Sequence, residues 1–201
     1  MGDDNSMSPI SESRRAVFLD RDGTVNEEVH FLSQPDQIEL LPTVASTISK
    51  LNQSGIAIVV VTNQSGVARG YIPEKQLDVI HTRLSHLLAE QNALIDGIYY
   101  CPHHPTEGIG QYHVDCDCRK PMPGMLLRAA RELNLDLTRS LMIGDRISDL
   151  EAGANAGCQT ALVRTGYGQV ASVTINLPSV RGIGVFSTVE EAVTAWLNQS
   201  P

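Results

Sequence analysis

Positive charge is in short supply in this 201-residue chain: 15 Lys and Arg stand against 23 Asp and Glu, a formal net charge of -8. The pI is near 5.1. A nucleic-acid footprint built on a basic stripe is therefore disfavoured. A small anionic ligand is not, because a site can be locally positive in an acidic protein. Aromatic residues are also few, at 4%. No apolar run approaches the length of a membrane span. The N-terminus, MGDDNSMSPISES, has neither the basic start nor the apolar middle of a signal peptide. Its expected place is the cytoplasm, and residues 1–14 read as a disordered tail. Internal repeats and low-complexity blocks are absent, and no apolar stripe is left over after the helices are assigned, so a monomer is expected.

What is present is alternation. The hydrophobic fraction, 42%, is ordinary for a globular protein, and residues 15–198 are long enough for one well-buried domain. Ala16 to Leu19 reads as a buried strand, and Thr43 to Asn52 as a helix with Val44, Ile48 and Leu51 near helical spacing. Ile56 to Val61 is a continuous run dominated by β-branched residues, the mark of a strand covered on both faces. Pro73 opens a helix reaching about Gln91. Further strands are expected at Gly97 to Tyr100, Leu141 to Ile143, Thr160 to Val163 and Gly184 to Phe186. Helices are expected from Pro123-Gly124 to Asn134, at Ile147 to Ala156 and at Val189 to Leu197. Such β-α alternation implies an α/β fold, a Rossmann-like parallel sheet with helices on both faces. Ligands of such sheets bind beyond the carboxyl ends of the strands.

The strand ends carry the chemistry. Asp20 and Asp22 close the first run in FLDRDGT, Thr62-Asn63 closes the second, Arg119-Lys120 lies in DCRKPMPG, and Asp145 follows LMIG. Each alone is an ordinary turn, cap or solvated pair. Together, in order and each behind an apolar run or in a loop, they form the inventory of a phosphoryl-transfer site: acids for Mg²⁺ and cations for phosphate oxygens.

DRDGT, TNQSG, the Lys of CRKP and GDRISD resemble the four motifs of the haloacid-dehalogenase-like phosphohydrolases, across about residues 15 to 165. The resemblance implies that Asp20 is a nucleophile forming an aspartyl phosphate, and that Asp22 is the general acid and then the general base. Mg²⁺ would be held by Asp20, the backbone carbonyl of Asp22, and Asp145. Thr62 and Lys120 would steady the transferring phosphoryl group. Asn63, Gln64, Ser65, Arg119 and Arg146 would contact substrate, a small phosphorylated sugar. Glu28, Val29, His30 and Phe31 stand between lining the site and forming an exposed loop. Asp149 stands between supporting the metal and capping a helix. No segment is long enough for a large cap domain. Phosphatases of histidinol phosphate share much of the pattern, and a non-enzymatic zinc-bearing interaction module is the reading of another class.

Cysteine is sparse, yet three of the four cluster: Cys101 and His103, twelve residues, then Cys116 and Cys118. Three thiolates and an imidazole make a closed, structural zinc set within the loop 101–118. A disulfide competes, disfavoured by the cytoplasmic context and the adjacent histidine. His104 and His113 are alternative donors. Cys158, in an apolar setting, reads as an inert buried thiol.

Overall fold

The continuous apolar runs become the strands of a single sheet. In the computed structural model, which describes residues 12–199, the strands are β1 (Ala16–Leu19), β2 (Ala57–Asn63), β3 (Gly97–Cys101), β4 (Leu141–Gly144), β5 (Gln159–Val163) and β6 (Gly182–Phe186). All pair in parallel, in the order β3-β2-β1-β4-β5-β6. The helices are α1 (Val44–Gln53), α2 (Ser65–Ala68), α3 (Glu74–Ala89), α4 (Gly124–Leu133), α5 (Ile147–Ala156), α6 (Gly168–Thr174) and α7 (Val189–Gln199).

The two-residue period of a strand explains why the runs have no polar face. Val17 and Leu19 of β1 pack into one cluster with Ile48 of α1, Leu84 of α3 and Trp196 of α7. Ala16 and Phe18 point the other way, onto Met125 and Leu126 of α4 and Ala152 of α5. A strand sandwiched between two helical layers has to be apolar at every position.

The chain builds β2 and β3 on one side of β1, then crosses to lay β4 on the other. The strand order thus reverses between β1 and β4. Their carboxyl ends border the crevice where sheets of this kind bind ligands, and Asp20 and Asp145 are the residues that follow them. Among the described residues no cap domain interrupts the layers. Between β1 and α1 the only helical element is a short 3₁₀ turn at Pro35–Gln37.

Several boundaries differ from expectation. The second strand runs to Asn63 because Thr62 and Asn63 pair with Tyr100 and Cys101 of β3. Helix α2 has four residues, too few to show a period. Helix α6 shows no apolar period because it buries only Gly168, and Val170 and Val173 stay exposed. Of the tail expected at residues 1–14, residues 1–11 lie outside the described residues. Arg14 is anchored: its N–H donates to the Asn134 carbonyl and its guanidinium pairs with Asp96, both at 3.0 Å. Among the described residues no helix is long and apolar enough to cross a membrane.

Phe18 is fully buried at the centre of the sheet. Phe18→Ala is expected to cost about 3–5 kcal/mol, read as a lower urea midpoint with an unchanged m-value.

Candidate active site

The turn after β1 sets the two acids apart. The Arg21 carbonyl accepts from the N–H groups of Val25 (2.8 Å) and Asn26 (3.0 Å), so the chain doubles back at once. Gly23 takes φ +79° within this turn, and a Cβ there would overlap the Asp145 carboxylate. Asp20 therefore faces the sheet end, while Asp22 is turned toward the loop after β2.

Asp20 meets Lys120 directly. The Lys120 ammonium donates to Asp20 Oδ1 at 2.6 Å and to the Val61 carbonyl at 2.7 Å, and lies 2.8 Å from Asp149 Oδ1. The lysine is placed by its backbone. Asn63 donates through Nδ2 to the Lys120 carbonyl and accepts from the Lys120 N–H at Oδ1, each at 3.0 Å. Asn155 of α5 holds the next carbonyl, that of Pro121, at 3.1 Å.

Asp145 and Asp149 arrive from β4 and α5. The Arg146 N–H donates to Asp149 Oδ2 at 2.9 Å, which caps α5. Asp149 thus caps the helix and borders the acid cluster at once. The Tyr167 N–H donates to Asp145 Oδ2 at 2.8 Å. Gly166, with φ +51°, lies so close that a Cβ would overlap that carboxylate. The segment RTGYG is thus a wall behind Asp145, further tied by the Thr165 hydroxyl donating to the Gly23 carbonyl at 2.5 Å.

Asp20, Asp145 and Asp149 each offer an oxygen within 4.8 Å of the others. Asp145 Oδ1 is buried with no hydrogen-bond partner. Burial pushes the Asp20 carboxyl up to about 7, with Asp149 and Asp22 adding to the rise and Lys120 opposing it. Burial and the charges of Asp20 and Asp149 push Asp145 up to about 8. One ammonium does not neutralise three clustered carboxylates. An orphaned oxygen and strained acids fit a small hard dication, whose charge would relieve the same repulsion.

Asp22 stands outside that cluster. Its carboxylate accepts from Arg21 Nε (3.0 Å) and Nη2 (2.7 Å), Asn26 Nδ2 (3.0 Å) and Gln64 Nε2 (3.0 Å). Burial pushes it up, but the Arg21 charge and these donors outweigh burial and hold it below the usual value. Its expected metal contact runs through the backbone carbonyl, not this side chain.

A cavity of about 310 Å³ opens over these groups. Asp20, Asp22, Thr62, Lys120 and Asp149 line it, with Asn63, Gln64 and Ser65 from the loop after β2. Arg119 and Arg146 reach it from opposite sides, and Glu28, His30 and Phe31 form its outer edge. Arg146 is 3.7 Å from Glu28 and its guanidinium lies 3.8 Å over the Tyr167 ring. Val29 does not line the cavity and is 40% exposed. The backbone turns tightly here, with His30 at φ +65° and the Phe31 N–H donating to the Val29 carbonyl at 2.8 Å, which leaves the Val29 side chain in solvent. Ser148, Leu32, Gly66 and Ile72 also line the cavity. Leu32, Ile72, Asn26 and His81 carry no motif that would mark them in the sequence, while Arg21, Gly66 and Ser148 lie within DRDGT, TNQSG and GDRISD, where residue type alone gave them no role.

The second cluster lies at the end of β3. The three thiol sulfurs of Cys101, Cys116 and Cys118 are 3.1–3.5 Å apart. His103 Nδ1 lies 3.5 Å from Cys118 Sγ and 3.8 Å from Cys101 Sγ. A disulfide would need about 2.05 Å, and all three thiols are free. Zinc–sulfur bonds of about 2.3 Å place tetrahedral ligands roughly 3.8 Å apart, close to these edges. His104 and His113 are not in this group. Arg119 Nη1 donates to the His103 carbonyl at 3.0 Å, which links the cluster to the cavity.

A parallel α/β sheet with acids and a lysine at its switch point is the frame of a haloacid-dehalogenase-like hydrolase. A family model described as "HAD-hyrolase-like" matches residues 117–192. The D-glycero-beta-D-manno-heptose-1,7-bisphosphate 7-phosphatase of Haemophilus influenzae is 48% identical over 76% of this chain and 83% of its own length. That of Escherichia coli K12 is 43% identical over 78% of this chain and 83% of its own. The D,D-heptose 1,7-bisphosphate phosphatase of B. bronchiseptica, solved with magnesium and phosphate, superposes with a TM-score of 0.80 at 37% identity. That match covers 92% of this chain and 98% of the other. The chain belongs to the heptose 1,7-bisphosphate 7-phosphatase family within those hydrolases.

The raised pKa of Asp145 fixes a pH dependence. A carboxyl whose folded value exceeds its unfolded value contributes stability below the unfolded value, 3.8, and loses it as pH rises through the folded one, about 8. In magnesium-free buffer the protein is expected to lose thermal stability across that interval. Asp145→Asn is expected to flatten the loss, measured as melting temperature against pH.

Proposed function

We propose that this chain is a magnesium-dependent phosphomonoesterase that removes the 7-phosphate of D-glycero-beta-D-manno-heptose 1,7-bisphosphate through an aspartyl phosphate on Asp20. The observation that carries the reading is Asp20 held by the Lys120 ammonium, beside Asp145 and Asp149, at the switch point of the sheet. Relatives named for that substrate, at 43–48% identity, support the choice of sugar, and no feature of the site favours histidinol phosphate.

Magnesium would be held by Asp20, Asp145 and the backbone carbonyl of Asp22. Bound there, it supplies positive charge that offsets the phosphoryl oxygens as the carboxylate approaches. The chain's own groups do the rest. Lys120 occupies Asp20 Oδ1, which leaves Oδ2 to attack phosphorus. The bond from phosphorus to the sugar oxygen breaks as the bond to Asp20 forms. Asp22, a carboxylate on Arg21 at rest, takes up a proton from solvent as substrate enters and gives it to the departing oxygen. It then takes a proton from water, which attacks the phosphoaspartate, frees Asp20 and releases inorganic phosphate.

The hydroxyls of Thr62 and Ser65 on one wall of the cavity suit the phosphoryl oxygens, and Asn63 and Gln64 line the same wall with their amides engaged on Lys120, Asp22 and Thr62. Arg119 and Arg146, on either side, suit the remaining phosphate and the hydroxyls by forked hydrogen bonding. Glu28, His30 and Phe31 bound the sugar. In such an open site the sugar is chosen by loops rather than a closing domain.

Cys101, His103, Cys116 and Cys118 would hold a structural zinc ion. The loop from 101 to 121 contains only a short 3₁₀ turn at Gly110–Tyr112, so metal binding supplies ordering energy that packing does not. The reading includes a monomeric enzyme acting in the cytoplasm.

Four outcomes are expected. With Mg²⁺, phosphorus NMR should show the 7-phosphate of the bisphosphate released and the 1-phosphate retained, faster than histidinol phosphate is hydrolysed. Asp20→Asn should lower turnover by more than about a thousandfold, and appreciable residual hydrolysis would refute the covalent route. Elemental analysis should find zinc bound to the purified chain. Cys116→Ser should lose that zinc and lower the melting temperature.

A further inference from the structure

We infer that Arg21 is the positioning residue for Asp22, and that His81 on α3 anchors Arg21 for that task; the inference rests on the phosphatase reading. Arg21 sits between the two acids of DRDGT, where a charged residue would be expected to face solvent. It is instead fully buried, at 0% exposure.

Each nitrogen of its guanidinium has a partner. Nε and Nη2 fork onto the two oxygens of Asp22, at 3.0 and 2.7 Å. Nη2 also donates to Gln64 Oε1 at 3.1 Å. Nη1 lies 3.3 Å from His81 Nε2. An arginine has no acceptor, so His81 must present the lone pair of Nε2 and carry its proton on Nδ1. The ring is buried on α3 and packs against Tyr100, with centroids 5.6 Å apart. His81 is thus a fixed acceptor on the far side of Arg21 from the cavity.

Adjacent residues seldom pair so closely. Here the turn that brings Val25 and Asn26 onto the Arg21 carbonyl folds the side chains of positions 21 and 22 together. Gln64 closes the frame by donating to Asp22 Oδ2 and to Thr62 Oγ1, at 3.0 and 2.8 Å. The result fixes both the rotation and the place of the Asp22 carboxylate. The frame holds Asp22 as a carboxylate, so Asp22 has to exchange one of these donors for a proton before it protonates a leaving oxygen; the remaining contacts keep it within hydrogen-bond reach, and small displacements of the acid cost rate. A pair kept only for fold stability would affect all substrates alike.

The test compares leaving groups. A sugar phosphate departs as an alkoxide and needs the Asp22 proton; p-nitrophenyl phosphate departs as a stable phenolate and does not. The ratio kcat/KM reports the transfer to Asp20 in both cases. Arg21→Lys, which keeps charge but loses the fork, and His81→Leu, which removes the acceptor, are the variants. Each is expected to lower kcat/KM for the sugar phosphate by about tenfold or more, while the p-nitrophenyl ester changes by less than about threefold, well under the usual range of general acid catalysis. His81→Gln, whose amide oxygen can accept from Nη1, is expected to recover most of the loss of His81→Leu. Circular dichroism establishes that each variant is folded. If Arg21→Lys does not fold, the two His81 variants decide by the same criterion. Equal losses with both esters, or no loss in folded variants, would overturn the inference while leaving the phosphatase reading intact. Absence of turnover of both esters by the wild-type chain would overturn both.

Discussion

A lysine ammonium with almost no access to water holds this site together. Lys120 donates to Asp20 and to the Val61 carbonyl and lies against Asp149. One cation therefore joins the end of β1, the body of β2 and the start of α5. Its desolvation is costly, of order several kcal/mol for a buried ion, and only a complete set of acceptors offsets that cost. Burial alone would lower its affinity for a proton, yet the charges of Asp149 and Asp20 raise it. The ammonium is therefore charged, and Asp20 is oriented by it. The remaining carboxylates are left in excess of positive charge, which prepares the crevice for a divalent ion.

The two acids of the first motif are separated electrically as well as in space. Asp20 is raised by burial and by neighbouring carboxylates. Asp22 is lowered by Arg21 and three kinds of donor. The proposed mechanism gives the two acids different tasks, and Asp22, its proton donor, has to be protonated against the pull of Arg21. The division originates in backbone geometry: Gly23, at positive φ, lets the chain reverse within a few residues and clears space for Asp145. The zinc-type cluster contributes at the opposite wall, where the His103 carbonyl holds Arg119 at the cavity.

Much of this was legible in the chain itself. The apolar runs at Ala16–Leu19 and Leu141–Ile143 show no alternation, and that is how a doubly covered strand reads. Asp20, Thr62, Lys120 and Asp145 could be found because each sits at a fixed place in a motif. The cysteine and histidine spacing marked the second cluster. Other parts left no trace. Arg21 looks like any charged residue in a turn, and His81 like any polar residue on a helix. Gly166 and Tyr167 lie far along the chain from the Asp145 they enclose. Helix α6 buries almost nothing, so its sequence carries no apolar period.

The linear order of residues determined which groups exist and the strand ends they follow. Hydrophobic periodicity is a local property, and so is the restricted chemistry of a glycine or a cysteine. The tertiary structure alone decided which charges share an enclosure. Lys120 meets Asp20 from a hundred positions away, and Arg21 finds His81 sixty positions away. Electrostatic interaction depends on distance in space and on the exclusion of water, and neither is written in sequence separation.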